Sequence, residues 1–133
     1  MRKGFTLIEL LIVLAVIAAL MAIVTPIALN AVAQAKATQV ASNFRNIKSA
    51  VESYVNIERA LPASSNTLVT AGYLNSMPDG FNLTPTNFDQ TGVGTVTISF
   101  TGTVDANKVK QVYNEITGTS GNLTLNLTFR KWW

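Results

Sequence analysis

Met1-Arg2-Lys3-Gly4-Phe5-Thr6-Leu7-Ile8-Glu9 opens the chain, and Leu10 to Val24 follows without one polar side chain. Leu7 to Val24 is eighteen residues interrupted only by Glu9, close to the roughly 20 apolar residues that cross a bilayer as a helix. No charge appears between Glu9 and Lys36, whereas Ser, Thr, Asn and Gly dominate beyond position 62. Such a division within 133 residues points to a membrane element joined to a solvated head, with room for one modest core.

Three ordinary accounts of the N-terminus compete. A secretory signal peptide also begins with basic residues and a short apolar stretch, but needs a small-residue cleavage site after it. No convincing Ala-x-Ala site ends this run in a turn, and the helical pattern continues past it. A plain signal anchor accounts for Arg2 and Lys3 through the positive-inside rule, and leaves Glu9 unexplained. A buried soluble helix needs a larger partner than this chain supplies. Glu9 separates these accounts. A carboxylate within an apolar span costs about 2.5–3.5 kcal/mol at the bilayer centre, less near the interface, and marks a functional position with a partner to be found. The alternative is that it reaches the headgroups and does nothing.

Gly4-Phe5-Thr6-Leu7-Ile8-Glu9 and the apolar run after it resemble the processing and assembly motif of type IV pilins and type II secretion pseudopilins. The detailed likeness covers about the first 30 residues. It implies a leader of residues 1–4 carrying Arg2 and Lys3, cut after Gly4 by a prepilin peptidase that methylates the new amine of Phe5. It further implies that Glu9 meets a Phe5 amine during assembly. A glycine at the cut leaves the backbone open to a protease. Pairing relieves the cost of a carboxylate in a low-dielectric filament core, so the pair acts as a register device more than as a source of net stability. Pro26 stands where the family often has a helix-disturbing proline. Lacking an N–H, it predicts a kink or unwound stretch near residues 22–28, in the single chain or only after assembly, with Thr25 free to bond back to the helix.

Helical periodicity continues to about Arg59. Val40, Phe44, Ile47, Val51 and Tyr54 repeat at steps of four and three, an amphipathic stripe that lies on the head. A free coiled coil is the alternative, although the stripe lasts only about three heptads. Lys48 and Glu52 form an i,i+4 pair. The expected divisions are leader 1–4, transmembrane or filament-core helix 5–30, amphipathic continuation 31–60 and head 61–133.

Within the head, Leu68 to Pro78, with Gly72-Tyr73-Leu74, resembles the connecting segment of pilins and pseudopilins; a small helix over the core is the plainer reading. Pro78-Asp79-Gly80 is turn chemistry. Thr95 to Thr101 and Leu123 to Phe129 alternate as half-buried strands. Asp105 caps a predicted helix whose Val109, Val112, Tyr113 and Ile116 share a face, closing near Gly118. The expected fold is α+β and pilin-like: a long N-terminal helix packed on a small, mostly antiparallel sheet of unsettled strand order. Many pilins pin this region with a disulfide. With no cysteine here, packing must hold the last strand.

Composition excludes more than it assigns. There is no histidine and no cysteine, which removes the commonest general base and the commonest metal ligands. Asp79, Asp89, Asp105 and Glu115 are scattered, so neither catalytic residues nor cofactors are expected. Asp79 and Asp89 fall where some pseudopilins bind calcium, but two carboxylates are thin for an ion taking six to eight oxygens, and no metal is expected. Ten basic and seven acidic residues give +3, two of the positive charges being Arg2 and Lys3. Arg130-Lys131-Trp132-Trp133 could stack on single-stranded nucleic acid, yet rings packed on the subunit or on its neighbour are far commoner. Three Asn-x-Thr sequons, at Asn82, Asn122 and Asn126, are frequent by chance in such compositions.

The resemblance thus implies a membrane-held precursor that becomes a surface filament. Its partners would be identical subunits, the inner membrane, the prepilin peptidase and the pilus assembly machinery. A secretion pseudopilin is the neighbouring reading. A bitopic, signal-anchored binding protein is the alternative from another class.

Overall fold

The computed structural model describes residues 4–133. Its first element is α1, Leu7–Glu58, followed by α2, Ser65–Thr70; β1, Phe81–Thr86; and β2, Val93–Phe100. Then come α3, Ala106–Val112; β3, Thr117–Thr119; and β4, Asn122–Arg130. The chain divides into two units, one ending at Gln34 and the other spanning Ala35–Trp133.

In the first unit, every described residue through Val32 is exposed. The Leu, Ile and Val side chains there have no protein to pack against. By length and composition, α1 is long and apolar enough to cross a membrane. It runs through Pro26 with no unwound residue between 22 and 28. The hydroxyl of Thr25 donates to Met21 O at 2.8 Å, the back-bond expected of a Thr beside a missing N–H.

The second unit is α+β. Its stretch of α1 buries Ala37, Val40, Ala41, Phe44, Ile47, Ala50, Val51 and Val55, which contains the first four members of the sequence stripe. Tyr54 is only half-buried and meets Tyr73 edge-on at 5.4 Å between centroids. The helix stops at Glu58, where Arg59 turns left-handed at φ 56°. The four strands are ordered β1-β2-β4-β3, and every pairing is antiparallel. Val96, Ile98, Leu123, Leu125 and Leu127 join Phe44 and Ile47 in one apolar core. Phe81 links helix and sheet, 4.9 Å from the Phe44 ring and 4.7 Å from that of Phe100. Among the described residues, no polar or charged side chain is buried, so the core carries no desolvation cost of that kind.

Two boundaries differ from the sequence reading. Asp105 does cap α3, its carboxylate accepting from the Asn107 and Lys108 N–H groups, but the helix ends at Val112 and Tyr113 is extended. Ile116 is buried beyond the helix, and Gly118 lies in β3 rather than closing α3. Gly118 sits at φ 116°, where a Cβ would fall 2.2 Å from Asn122 O; the close approach of β4 therefore requires glycine. The segment after α3 is tied to α1 by polar contacts. Arg45 Nη2 donates to Val112 O at 2.8 Å, and its guanidinium covers the Tyr113 ring at 4.9 Å. Lys48 Nζ lies 3.3 Å from Glu115 and 3.9 Å from Glu52, so the distant acid is its nearer partner.

Candidate functional site

A helix start leaves its first N–H groups without partners, and the N-terminal motif meets that need from within itself. Glu9 N–H donates to Thr6 Oγ1 at 3.1 Å, and Thr6 N–H donates to the Glu9 carboxylate at 3.2 Å. This reciprocal pair is a capping box, with Thr6 as the N-cap and Glu9 three positions on. Leu10 N–H then closes the first turn on Thr6 O at 3.1 Å. In the uncut chain the lone acid of the apolar run is therefore already hydrogen-bonded, and its charge sits at the positive end of the helix dipole.

Gly4, Phe5, Thr6 and Glu9 line one shallow depression, so the residues singled out for processing and assembly share a surface. Thr6 was not among them, although Thr-x-x-Glu before an apolar run is the signature of such a cap. Gly4 has no neighbour within 4 Å of a built Cβ and no left-handed φ. Among the described residues nothing requires glycine there, which leaves a molecule approaching the bond as the source of any requirement. Phe5 is 91% exposed. Arg2 and Lys3, the leader charges, lie outside the described residues.

Three acids of the head, Asp89, Asp105 and Glu115, are engaged in a loop, a helix cap and an ion pair. Asp89 Oδ1 accepts from Thr91 N–H at 2.8 Å, Thr91 Oγ1 at 2.6 Å and Val93 N–H at 3.0 Å. The Thr91 hydroxyl and then the Val93 amide hold its carboxyl below the usual range. Among the described residues no three His, Cys, Asp or Glu side chains gather to hold a metal. The basic, aromatic tail folds on the head: Arg59 covers Trp132 at 5.1 Å, Trp133 meets Phe88 edge-on at 5.6 Å, and Lys131 covers Phe88 at 5.0 Å.

Residues 1–25 match the prokaryotic N-terminal methylation motif. The chain matches no curated protein and no solved structure. The motif, set on an apolar helix, supports a type IV pilin or pseudopilin precursor and fits membrane anchoring.

Proposed function

We propose that this chain is a structural subunit of a type IV pilus, held in the membrane by α1, cut after Gly4 and polymerised through the freed helix into a surface filament. The observation that carries the reading is the methylation motif fused to a helix whose large apolar residues from Leu7 to Val32 are all exposed among the described residues. Large exposed apolar surface calls for lipid or another protein; here lipid would cover it in the precursor and neighbouring helices in the filament.

The cut exchanges one partner of Glu9 for another. Before it, the carboxylate is held by Thr6 N–H. After it, the Phe5 amine of the same or a neighbouring subunit supplies a positive charge one residue away from that cap. A subunit seated in the wrong register would leave both charges unpaired in a dry core, which is strongly penalised. The capping box keeps the acid satisfied during the wait. Asp89, Asp105 and Glu115, engaged in a loop, a cap and an ion pair, support a structural subunit over an enzyme.

The test is the intact mass and N-terminal sequence of the chain in sheared cell-surface material. A methylated Phe5 start in filament-rich fractions is the expected result. An uncut chain absent from those fractions would favour the bitopic anchor.

A further inference from the structure

The two outer edges of the sheet are finished differently. Thr101 N–H donates to Gly80 O at 3.0 Å, which fixes the alternation of the β1–β2 ladder: Asn82, Thr84 and Thr86 face β2, while Phe81, Leu83 and Pro85 face outward. None of the outward three offers a free donor. Phe81 N–H donates to Pro78 O at 3.3 Å, Leu83 N–H donates to Asn82 Oδ1 at 2.9 Å, and proline has no N–H. This edge is closed.

The same alternation, carried through β2, turns Leu123, Leu125, Leu127 and Phe129 toward β2 and the even-numbered residues of β4 away from it. Lys131 N–H donating to Gly92 O at 2.8 Å agrees with that phase. On the outer side β3 covers only Asn122 to Thr124. Beyond it, the backbone groups of Asn126, Thr128 and Arg130 meet no protein partner among the described residues, and all three residues are exposed. An open edge of this kind is a template for another strand.

We propose that this edge pairs with itself: β4 of a second copy adds antiparallel, Thr128 opposite Thr128, joining two heads in one continuous sheet. Only outward-facing residues can exchange ladder bonds, so register moves in steps of two residues. A step one way sets Thr124 against Arg130, but Thr124 is already paired with Thr117. A step the other way carries the pairing past Arg130, where β4 ends. In the remaining register Asn126 faces Arg130 and Leu125 faces Lys131, so no cation opposes a cation. Because the β1 edge is closed, the contact stops at two copies and does not grow into an open array. Its two-fold axis is normal to the sheet, which turns the packed Ala37–Val55 stretch of the partner's helix end for end. Subunits running parallel in one filament do not stand in that relation; subunits of two oppositely directed filaments do. That last placement rests on the proposed filament function, whereas the pairing of heads does not.

The absence of cysteine makes the test clean. Residues opposed in a hydrogen-bonded pair have Cα atoms about 5.5 Å apart, inside the roughly 4.4–6.8 Å that a disulfide spans. Full-length Thr128→Cys in detergent micelles, under mild oxidation, is expected to run at twice the chain mass. Thr84→Cys, on the closed edge, is expected to stay single. A mixture of Asn126→Cys and Arg130→Cys chains is expected to give the mixed dimer well above either alone; this reports register even if Thr128→Cys folds poorly. Equal crosslinking at Thr84 and Thr128, or no enrichment of the mixed dimer, would overturn the proposal. Micelles contain no filament, so a failure of processing or polymerisation leaves this result untouched.

Discussion

Replacing Glu9 with Gln separates the two tasks open to that side chain. Gln keeps an oxygen able to accept from Thr6 N–H, now at 3.2 Å, and is itself an accepted capping-box residue; only the charge is lost. Thr6→Ala does the converse. It removes the acceptor 3.1 Å from Glu9 N–H and leaves the charge in place. A lost N-cap costs about 1 kcal/mol, roughly a fivefold rise in opening of the first turn. Amide exchange at Glu9 and Leu10 in micelles should therefore quicken about fivefold in Thr6→Ala and hold steady in Glu9→Gln. Filament yield, read as sheared protein against the membrane pool, should order the other way. Glu9→Gln is expected to remain in the membrane with sheared filaments at background, and Thr6→Ala to be reduced far less. Normal filaments from Glu9→Gln, with loss in Thr6→Ala, would refute the charge-pairing argument and leave the acid as a helix cap alone.

Gly4→Leu should leave the fold unchanged, since among the described residues nothing lies within 4 Å of a Cβ there, yet accumulate as uncut precursor; mature-length chains by mass spectrometry would count against the proposed leader. Phe44→Ala removes a fully buried ring that packs 4.9 Å from Phe81, and should cost the head about 3–5 kcal/mol, measured as a fall in the urea midpoint. Glu115→Gln should lower the melting temperature at neutral pH by an amount that shrinks in acid. The Tyr113 hydroxyl and then Lys48 hold the Glu115 carboxyl below its ordinary value of 4.5. Its contribution is therefore complete above that value and is lost as pH falls beneath it. Lys48 is raised above 10.5, first by Tyr113, so its own share is complete below that value and disappears only in strong alkali. Both groups are exposed enough for added salt to weaken the effect.

Periodic features of the head were legible in the sequence. The stripe through Val40, Phe44, Ile47 and Val51 faces the core because a 3.6-residue repeat leaves it no other choice. The two alternating runs became β2 and β4, and Asp105 caps where a short acid before a helix should. What escaped was short or non-local. β1 was hidden by Pro85 and by polar Asn82 and Thr84, a composition that an edge strand tolerates and a central one does not. β3 is three residues long and owes its pairing to the turn that precedes β4. Glu115 takes Lys48 from a separation of 67 residues, which no local pattern reports. At the N-terminus the spacing of Gly4, Phe5 and Glu9 was plain, while Thr6 passed as an ordinary polar residue although its reciprocal bond is a local motif.

The fastening of the 112–116 segment onto α1 by Arg45, Lys48, Tyr113 and Glu115 has a mechanical consequence. Each of these contacts breaks and reforms without a chemical step, unlike the covalent staple that a cysteine pair would provide. If the proposed filament forms, a head stretched open by tension along it closes again as soon as the load drops, with no thiol to be oxidised and no wrong partner to be found. Reductant should change neither its strength nor its recovery.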